Sequence, residues 1–337
     1  MIVVAGDIGG TKTILQAIQF RTDHKQYDII FEKLFPSKEY DSFYALIGEF
    51  MASLHTQHKT LTVESACLAV AGPIDHNQSD QTAKITSLPW EISTSTLQAL
   101  LDIKSVILLN DFEAIGYGIE LLKADELALL KQGDTVPEGN RVILGAGTGL
   151  GVCQVLRHEN SYYVQATEGG HNSFAPTDKT QLEFLSYMLE RHNHVSYDRV
   201  LSGPGLVNIF SFFVDKYEQQ THSTVKNIFS KKDVAQAITE NIQELECCKL
   251  TIDLFAKIYG SQAGNTALVS LAYGGVYLAG GIAPKLLPYL KDSAFSHYFT
   301  KKGRMESLLK SIPVRVITNQ KVGILGAAAM AYKSNQM

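Results

Sequence analysis

The N-terminal segment Gly6-Asp7-Ile8-Gly9-Gly10-Thr11 has three glycines in six residues and is the strongest indicator of the fold. It separates a β-rich apolar run, residues 2–5, from a second run, residues 14–18, in which apolar and polar side chains alternate loosely. Such alternation is typical of a strand, and glycine permits a tight turn. The sequence therefore predicts a hairpin with a glycine-rich tip.

The same pattern returns in the middle of the chain. Residues 142–144 precede the turn Gly145-Ala146-Gly147-Thr148-Gly149, and residues 150–156 follow it as a second strand, with Thr11 and Thr148 in matching places. Two glycine turns between strands also arise by coincidence. The matching threonines favour an internal duplication.

The segments between and after the hairpins alternate between strand and helix patterns. Apolar runs typical of buried strands occur at 66–71, 106–109, 275–279 and 313–317. Helical patterns occupy 43–54, 112–122, 180–190, 206–217, 233–259, 263–273 and 323–332, with Ser230 and Asp233 as the expected helix start. This alternation predicts an α/β fold with helices on both faces of a sheet.

Composition limits the function classes. The chain has 337 residues, enough for two domains, and 30 Lys plus Arg against 34 Asp plus Glu give a net charge of −4. Without a basic block, binding to nucleic acid or an anionic membrane is not expected. Cys67, Cys153, Cys247 and Cys248 form no C-x-x-C pair, so neither structural zinc nor a disulfide framework is expected. No signal peptide or membrane-length apolar run is evident, and we expect a cytoplasmic protein.

Neither glycine-rich turn fits a common nucleotide motif. Thr11 stands where a P-loop needs its second glycine, and Leu150 stands where a dinucleotide fingerprint needs its third; a strand follows each turn instead of a helix. Each turn can still direct backbone N–H groups and a threonine hydroxyl at an anion. Two such turns could clasp a polyphosphate between two domains, and Asp7 could hold Mg²⁺ through water.

Asn110-Asp111 follows the strand pattern 106–109 and precedes a helical pattern. Both polar side chains are therefore expected at the carboxyl end of a strand, where open α/β sheets place ligand groups. Asp111 could simply cap the helix, or it could take a proton from a substrate hydroxyl. Phosphoryl transfer needs mainly alignment, charge neutralisation and one such base.

Two further polar segments are candidates for ligand binding. The glycines of Glu168-Gly169-Gly170-His171 argue against a helical metal pair and for a polar turn. That turn suits a ligand rich in hydroxyls, although His171 alone could be structural. Asp198, beside Arg199, could form a surface ion pair or accept a hydrogen bond from a hydroxyl.

Seven blocks, in order and spanning nearly the whole chain, resemble the signatures of the bacterial glucokinase family within the hexokinase and actin-like ATPase superfamily. They are Gly6-Asp7-Ile8-Gly9-Gly10-Thr11, Ala69-Val70-Ala71-Gly72-Pro73, Leu109-Asn110-Asp111-Phe112, Gly145-Ala146-Gly147-Thr148-Gly149-Leu150-Gly151, Glu168-Gly169-Gly170-His171, Leu201-Ser202-Gly203-Pro204-Gly205-Leu206 and Gly274-Gly275-Val276-Tyr277-Leu278-Ala279-Gly280-Gly281.

The resemblance implies a two-domain, actin-like (ribonuclease H-like) sugar kinase fold of the α/β class, with an interdomain cleft that closes on substrate. The implied small domain comprises residues 1–111 and about 318–337, and the large domain about 112–317. The C-terminal helix would return to the small domain. Similar enzymes are commonly homodimers, so we expect one here.

The activity implied is transfer of the γ-phosphoryl group of Mg²⁺-ATP to the 6-hydroxyl of glucose, giving glucose 6-phosphate and ADP, the first step of glycolysis. Asp111 would be the base, and Asn110, Glu168 and His171 would bind sugar hydroxyls. The family pattern places the remaining ligand residues in two phosphate loops and two nucleotide motifs: Gly9, Gly10, Thr11, Gly147, Thr148, Gly203, Gly205, Gly280 and Gly281.

Two sugar positions depart from the family pattern. Ser87, before Leu88-Pro89-Trp90, stands where many relatives have Asn, and Asp198 stands where relatives usually have Glu. Both side chains are shorter, so sugar affinity or epimer choice could differ. A kinase for another hexose or an N-acetylated amino sugar is therefore an alternative, and a non-catalytic sugar-sensing regulator or an actin-like assembly protein is a more distant one. ATP, ADP and polyphosphate also stay open as phosphoryl donors.

Overall fold

The computed structural model describes residues 1–21, 26–75, 80–85, 87–159, 161–291 and 294–336. The chain forms two compact units, Met1–Ala124 with Asn319–Met337 and Asp125–Thr318. In the described ranges, no helix is both long and apolar enough to span a membrane.

The first unit contains eight strands and four α-helices among its described residues. The strands are β1 (Ile2–Ile8), β2 (Lys12–Phe20), β3 (Tyr27–Pro36), β4 (Ser65–Val70), β5 (Ile74–Asp75), β6 (Thr82–Lys84), β7 (Glu91–Ser93) and β8 (Ser105–Asn110). The helices are α1 (Phe43–Gln57), α2 (Thr94–Leu101), α3 (Asp111–Gly118) and the last helix of the chain, Val322–Ser334.

The main sheet of this unit has the order β3-β2-β1-β4-β8. The hairpin strands β1 and β2 pair antiparallel, whereas β4 and β8 run parallel to β1. Successive side chains of a strand point to opposite faces. Val4 and Ile8 pack in the core that contains α1, while Val3 and Ala5 pack against the last helix. Asp7 continues the Val3 and Ala5 series and thus faces the layer of the last helix.

The second unit consists of six strands and eight α-helices in its described part. The strands are β9 (Leu127–Lys131), β10 (Arg141–Ala146), β11 (Leu150–His158), β12 (Ser161–Thr167), β13 (Gly275–Ala279) and β14 (Val314–Ile317). The helices are α4 (Lys179–Leu189), α5 (Gly203–Lys216), α6 (Ser223–Phe229), α7 (Val234–Glu240), α8 (Glu246–Ser270), α9 (Ile282–Lys291), α10 (Phe295–Thr300) and α11 (Glu306–Ser311); the last helix of the chain is therefore α12.

The sheet of the second unit has the order β12-β11-β10-β13-β14-β9. Two consecutive strands, β10 and β11, again form an antiparallel hairpin, and β13 runs parallel to β10, the first strand of that hairpin. Strand, Gly/Thr turn and strand therefore occur in both units, as the sequence predicts. The fold is mixed α/β, and the predicted helices on both sheet faces are confirmed in the first unit.

Two helix predictions are wrong. The pattern over 233–259 is split into α7 and α8 by turns at residues 241–244, and the pattern over 263–273 is the C-terminal part of α8. Ser230 ends α6 instead of starting a helix. Asp233 is the true N-cap of α7, since its carboxylate accepts a hydrogen bond from the Gln236 N–H at 2.9 Å.

Residues 112–124 group with the first unit, whereas the sequence analysis assigned them to the large domain. The reason is close packing of α3 on α12. A Cβ at Gly326 would overlap the Ala114 carbonyl, and one at Gly118 would overlap the Val322 carbonyl. Glycine at both positions lets the two helix backbones touch, and this contact retains α3 in the unit that contains both chain ends.

Candidate active site

The tip of the first hairpin is a two-residue turn, Gly10-Thr11. The Gly9 N–H donates to the Lys12 carbonyl at 3.1 Å and closes the turn. Buried Ser37 supports it, because the Ser37 hydroxyl donates to the Gly9 carbonyl at 2.8 Å and lies 3.0 Å from the Thr13 hydroxyl. Thr11 is exposed at the tip, where its hydroxyl is accessible to a ligand.

Ser87 lies directly against this tip. A Cβ added to Gly10 would overlap the Ser87 hydroxyl, so a side chain at this position would require Ser87 to move. The predicted sugar position Ser87 and the predicted phosphate position Gly10 are thus brought together in the first unit.

Two carboxylates lie at the carboxyl ends of β1 and β8. Burial raises the pKa of Asp7, the negative charge of Asp111 raises it further, and the positive charge of Lys12 opposes the increase. The two acids are therefore close enough to interact electrostatically. A cation near them would lower the free-energy cost of holding both carboxylates in the ionised form.

Asn110 is the N-cap of α3, and its Oδ1 accepts a hydrogen bond from the Phe112 N–H at 3.0 Å. Asp111 is the first helical residue, and its Oδ1 accepts from the same N–H at 2.9 Å. Asp111 is only partly buried. The N-cap is therefore Asn110 and not Asp111, which is the first residue of the helix and stays partly exposed.

Glu113 completes the start of α3. Its carboxylate accepts a hydrogen bond from the Asn110 backbone N–H, which is one half of a capping box, while the Asn110 side chain accepts from the Phe112 N–H. Burial raises the pKa of Glu113, and the Asn110 bond opposes that increase. The sequence analysis missed Glu113, although its spacing of three residues from Asn110 is the signal of a capping box.

The second Gly/Thr turn is held by glycine backbone contacts. The Gly147 N–H donates to the Gly149 carbonyl at 2.8 Å, and the Gly203 N–H donates to the Gly147 carbonyl at 2.8 Å. Gly280 adopts a φ of +78°, and a Cβ at this residue would overlap the Ala146 carbonyl. The turn, the start of α5 and the end of β13 are thus assembled by close backbone approach. Thr148 is exposed at the tip.

Glu168 and His171 belong to a short 3-10 turn, as the polar-turn prediction requires. The His171 N–H donates to the Glu168 carbonyl at 2.9 Å, and the side chains approach to 3.8 Å between Nε2 and Oε2. Glu168 is 90% and His171 65% exposed. Both side chains are therefore accessible to a ligand.

Asp198 makes a contact that the sequence analysis did not anticipate. Its Oδ1 accepts a hydrogen bond from the Leu150 N–H at 2.7 Å, at the end of the second Gly/Thr turn. The sequence suggested a sugar hydroxyl or an ion pair with Arg199 as its partner.

Among the described residues, no group of three or more His, Cys, Asp and Glu side chains is arranged to hold a metal ion. Mg²⁺ prefers oxygen ligands and retains several waters, so one or two carboxylates are enough when phosphates supply the rest. Asp7, whose pKa is raised by burial and by the Asp111 charge, fits that requirement.

The comparisons with known proteins agree over nearly the whole chain. The family model described as Glucokinase matches residues 4–334. A glucokinase of Nostoc punctiforme is 39% identical, with 98% of each chain covered. The crystal structure of a glucokinase from an Antarctic psychrotroph is 29% identical, with a TM-score of 0.85 and 98% of this chain and 99% of that one covered.

A more remote solved structure shares the fold. It is a ROK family glucokinase from Streptomyces griseus in complex with glucose and AMPPNP, 16% identical, with a TM-score of 0.64 and 99% of this chain and 100% of that one covered. The match to the family model and the identity with curated relatives decide the assignment: this chain belongs to the glucokinase family of sugar kinases.

Proposed function

We propose that the protein transfers the γ-phosphoryl group of ATP to the 6-hydroxyl of glucose, giving glucose 6-phosphate and ADP. The observation that carries the proposal is the position of Asp111. Its carboxylate stands at the carboxyl end of β8, on the first residue of α3, partly exposed and near a second acid, Asp7. A carboxylate so placed suits the single proton transfer that phosphoryl transfer to a hydroxyl requires.

In this proposal Asp111 accepts the proton of the sugar 6-hydroxyl as that oxygen attacks the γ-phosphorus in line. Asn110 uses Oδ1 to cap α3, so its amide Nδ2 is the group that donates to a sugar hydroxyl. Glu168 accepts hydrogen bonds from hydroxyls, and His171 contributes a ring nitrogen. Ser87 offers one hydroxyl where relatives usually have an amide.

The backbone N–H groups of the two Gly/Thr turns bind phosphate oxygens, with Gly9, Gly10 and Thr11 in the first and Gly147 and Thr148 in the second. Gly203, Gly205, Gly280 and Gly281 let the backbone approach the nucleotide closely. Asp7 would hold Mg²⁺ through water, and the ion, when bound with ATP, would neutralise the phosphate charge.

The deciding experiment measures sugar-dependent ADP release with Mg²⁺-ATP, using glucose, mannose, fructose, galactose, N-acetylglucosamine and N-acetylmannosamine, with detection of the 6-phosphate product. We expect a clear preference for glucose. A preference for another sugar would contradict the assignment of glucose as the substrate. Ser87 and Asp198 would then be the first residues to substitute in search of the cause. If no sugar reacts with ATP, ADP or polyphosphate, the kinase proposal is wrong.

Two further parts of the proposal are independent of the sugar. We propose a cytoplasmic location, since Cys67, Cys153, Cys247 and Cys248 are buried and free, as suits a reducing compartment. We also propose a homodimer, which light scattering of the purified protein tests directly.

A further inference from the structure

Asp198 hydrogen-bonds to the second Gly/Thr turn. Besides the 2.7 Å bond from the Leu150 N–H to Oδ1, the same oxygen lies 2.5 Å from the position that a Cβ on Gly149 would take. Any side chain at Gly149 would therefore displace the carboxylate. An ionised acceptor makes this bond stronger than one between neutral groups.

The backbone of Asp198 forms a hydrogen bond to the Glu168–His171 turn. Its N–H donates to the Gly170 carbonyl at 2.8 Å, in the middle of the segment Glu168–His171. Gly170 in turn packs so closely on Leu150 that a Cβ there would overlap the Leu150 carbonyl. Asp198 thus contacts the predicted sugar segment with its backbone and the predicted phosphate segment with its side chain.

A third contact connects Asp198 to the start of α5. The Ser202 hydroxyl donates to the Asp198 carbonyl at 2.6 Å and accepts from the Gly205 N–H at 3.0 Å as the N-cap. The Gly203 N–H, one residue beyond this cap, donates to the Gly147 carbonyl at 2.8 Å. Asp198 therefore holds the Gly147–Leu150 turn from two sides, directly through Leu150 and indirectly through Ser202 and Gly203.

We propose that Asp198 is a positioning residue that holds the phosphate turn Gly147–Leu150 in its binding geometry, and that it determines nucleotide affinity more than sugar affinity. The inference rests on the proposed function, because it takes that turn as a nucleotide contact. It assigns to Asp198 a different role from the hydroxyl ligand that the family pattern suggests. The Oδ1 atom accepts the Leu150 N–H at 2.7 Å, and this bond connects the side chain directly to the turn.

The test measures the ADP dissociation constant by calorimetry in the absence of sugar, so that a sugar ligand cannot influence it. In Asp198→Ala the Leu150 N–H loses its acceptor, and we expect ADP binding to weaken about tenfold or more. In Asp198→Asn the amide oxygen can still accept that hydrogen bond, so we expect recovery to within about threefold of the wild type. In steady-state assays of Asp198→Ala, the KM for ATP should rise more than the KM for glucose.

Asp178→Ala is the matched control. The Asp178 carboxylate also accepts a backbone N–H, from Gln181 at 2.9 Å, and a hydrogen bond from the Tyr298 hydroxyl. Its removal therefore costs at least as many hydrogen bonds, none of them to the turn. We expect ADP affinity to be unchanged in this variant. A loss equal to that of Asp198→Ala would mean that general destabilisation is the cause, and would overturn the inference.

Two other outcomes separate this inference from the proposed function. If the wild type binds ADP and Asp198→Ala binds it equally well while the KM for glucose rises, Asp198 is a sugar ligand and the inference is wrong. If the wild type binds no ADP, the nucleotide proposal fails and this inference fails with it. Amide hydrogen exchange at Leu150 adds a ligand-free test: exchange should be faster in Asp198→Ala, and unchanged exchange would contradict the hydrogen bond.

Discussion

The two sheets share the arrangement of five strands and differ in the side chains near the carboxyl ends of those strands. The order β3-β2-β1-β4-β8 corresponds strand by strand to the first five strands in the order β12-β11-β10-β13-β14-β9. Ile8 pairs with Val70 as Gly145 pairs with Ala279. When Thr11 is aligned with Thr148, Asp7 corresponds to Leu144, which is fully buried and apolar. The carboxyl end of β1 is therefore acidic, whereas the corresponding position of β10 is neutral.

The two Gly/Thr turns are also held differently. A buried hydroxyl, Ser37, supports the first turn, and an acidic side chain, Asp198, supports the second. The repeated backbone supplies two similar turns, whereas Asp7 of the first unit has an apolar counterpart, Leu144, in the second.

The largest effect is expected from Asp111→Asn, which removes the acid that directly follows β8 of the first sheet. The amide cannot take the hydroxyl proton, so kcat should fall by about 10²–10⁴ while sugar binding largely survives. Steady-state kinetics and calorimetric glucose binding measure the two quantities. Asp102→Asn is the control, since Asp102 is exposed at φ +54°, a conformation that Asn tolerates. A near-normal kcat in Asp111→Asn would remove Asp111 from the role of base.

The residue that follows the central parallel strand gives the next largest effect. It is Ala71 after β4 but Gly280, at φ +78° and against the Ala146 carbonyl, after β13. Gly280→Ala should destabilise the protein by more than about 3 kcal/mol, because positive φ and backbone overlap both oppose the methyl group. Ala71→Gly should cost at most about 1 kcal/mol. Equal losses of Tm in scanning calorimetry would show that the two positions are equivalent.

Local sequence is enough to predict the repeated hairpins and the position of Asp111 between a strand and a helix. Apolar runs bounded by Gly/Thr turns lie within about 20 residues, and Asn110-Asp111 directly follows its strand. The edge strand β3 was missed because most of its side chains are exposed or half-exposed, and apolar and polar residues do not alternate regularly along it.

The contacts that hold the turns could not be predicted. Ser37 lies 28 residues from Gly9, and Asp198 lies 48 residues from Leu150. Such bonds depend on where distant segments meet, and neither side chain has a neighbouring motif that announces its partner. Glu113 is different, because its capping-box spacing was readable and was overlooked.

Ser37→Ala tests the support of the first turn. It leaves the Gly9 carbonyl without the hydroxyl that donates to it at 2.8 Å, in a buried position, so we expect a loss of about 1–2 kcal/mol. Urea unfolding measures it. Thr56→Ala is the control, because its hydroxyl donates to the Ala52 carbonyl on an exposed part of α1, and it should change stability by less than about 0.5 kcal/mol. If both variants lose the same amount, Ser37 has no special role in the turn.

The smallest change in stability, and one of opposite sign, is expected from Asp7→Asn, which makes the first sheet edge less acidic. Burial and the Asp111 charge raise the pKa of Asp7 in the folded protein. Above that raised pKa Asp7 is ionised, and its buried charge lowers the free energy of unfolding. The wild type regains this stability as the pH falls through the raised pKa of the folded state toward the ordinary pKa of an aspartate. Asp7→Asn should accordingly have the higher Tm at pH 8, by a margin that shrinks as the solution is acidified.

Magnesium distinguishes the role of Asp7 from simple burial. If Asp7 holds the ion through water, Mg²⁺ with ADP should raise the Tm of the wild type more than that of Asp7→Asn, because the cation offsets the cost of the buried charge only where that charge exists. Thermal unfolding at pH 8 with and without Mg²⁺-ADP measures both effects. A lower Tm for Asp7→Asn than for the wild type in metal-free buffer would contradict the electrostatic cost of the buried Asp7 charge. Equal Mg²⁺-ADP shifts in the two proteins would leave that cost in place and show that Asp7 does not hold the ion.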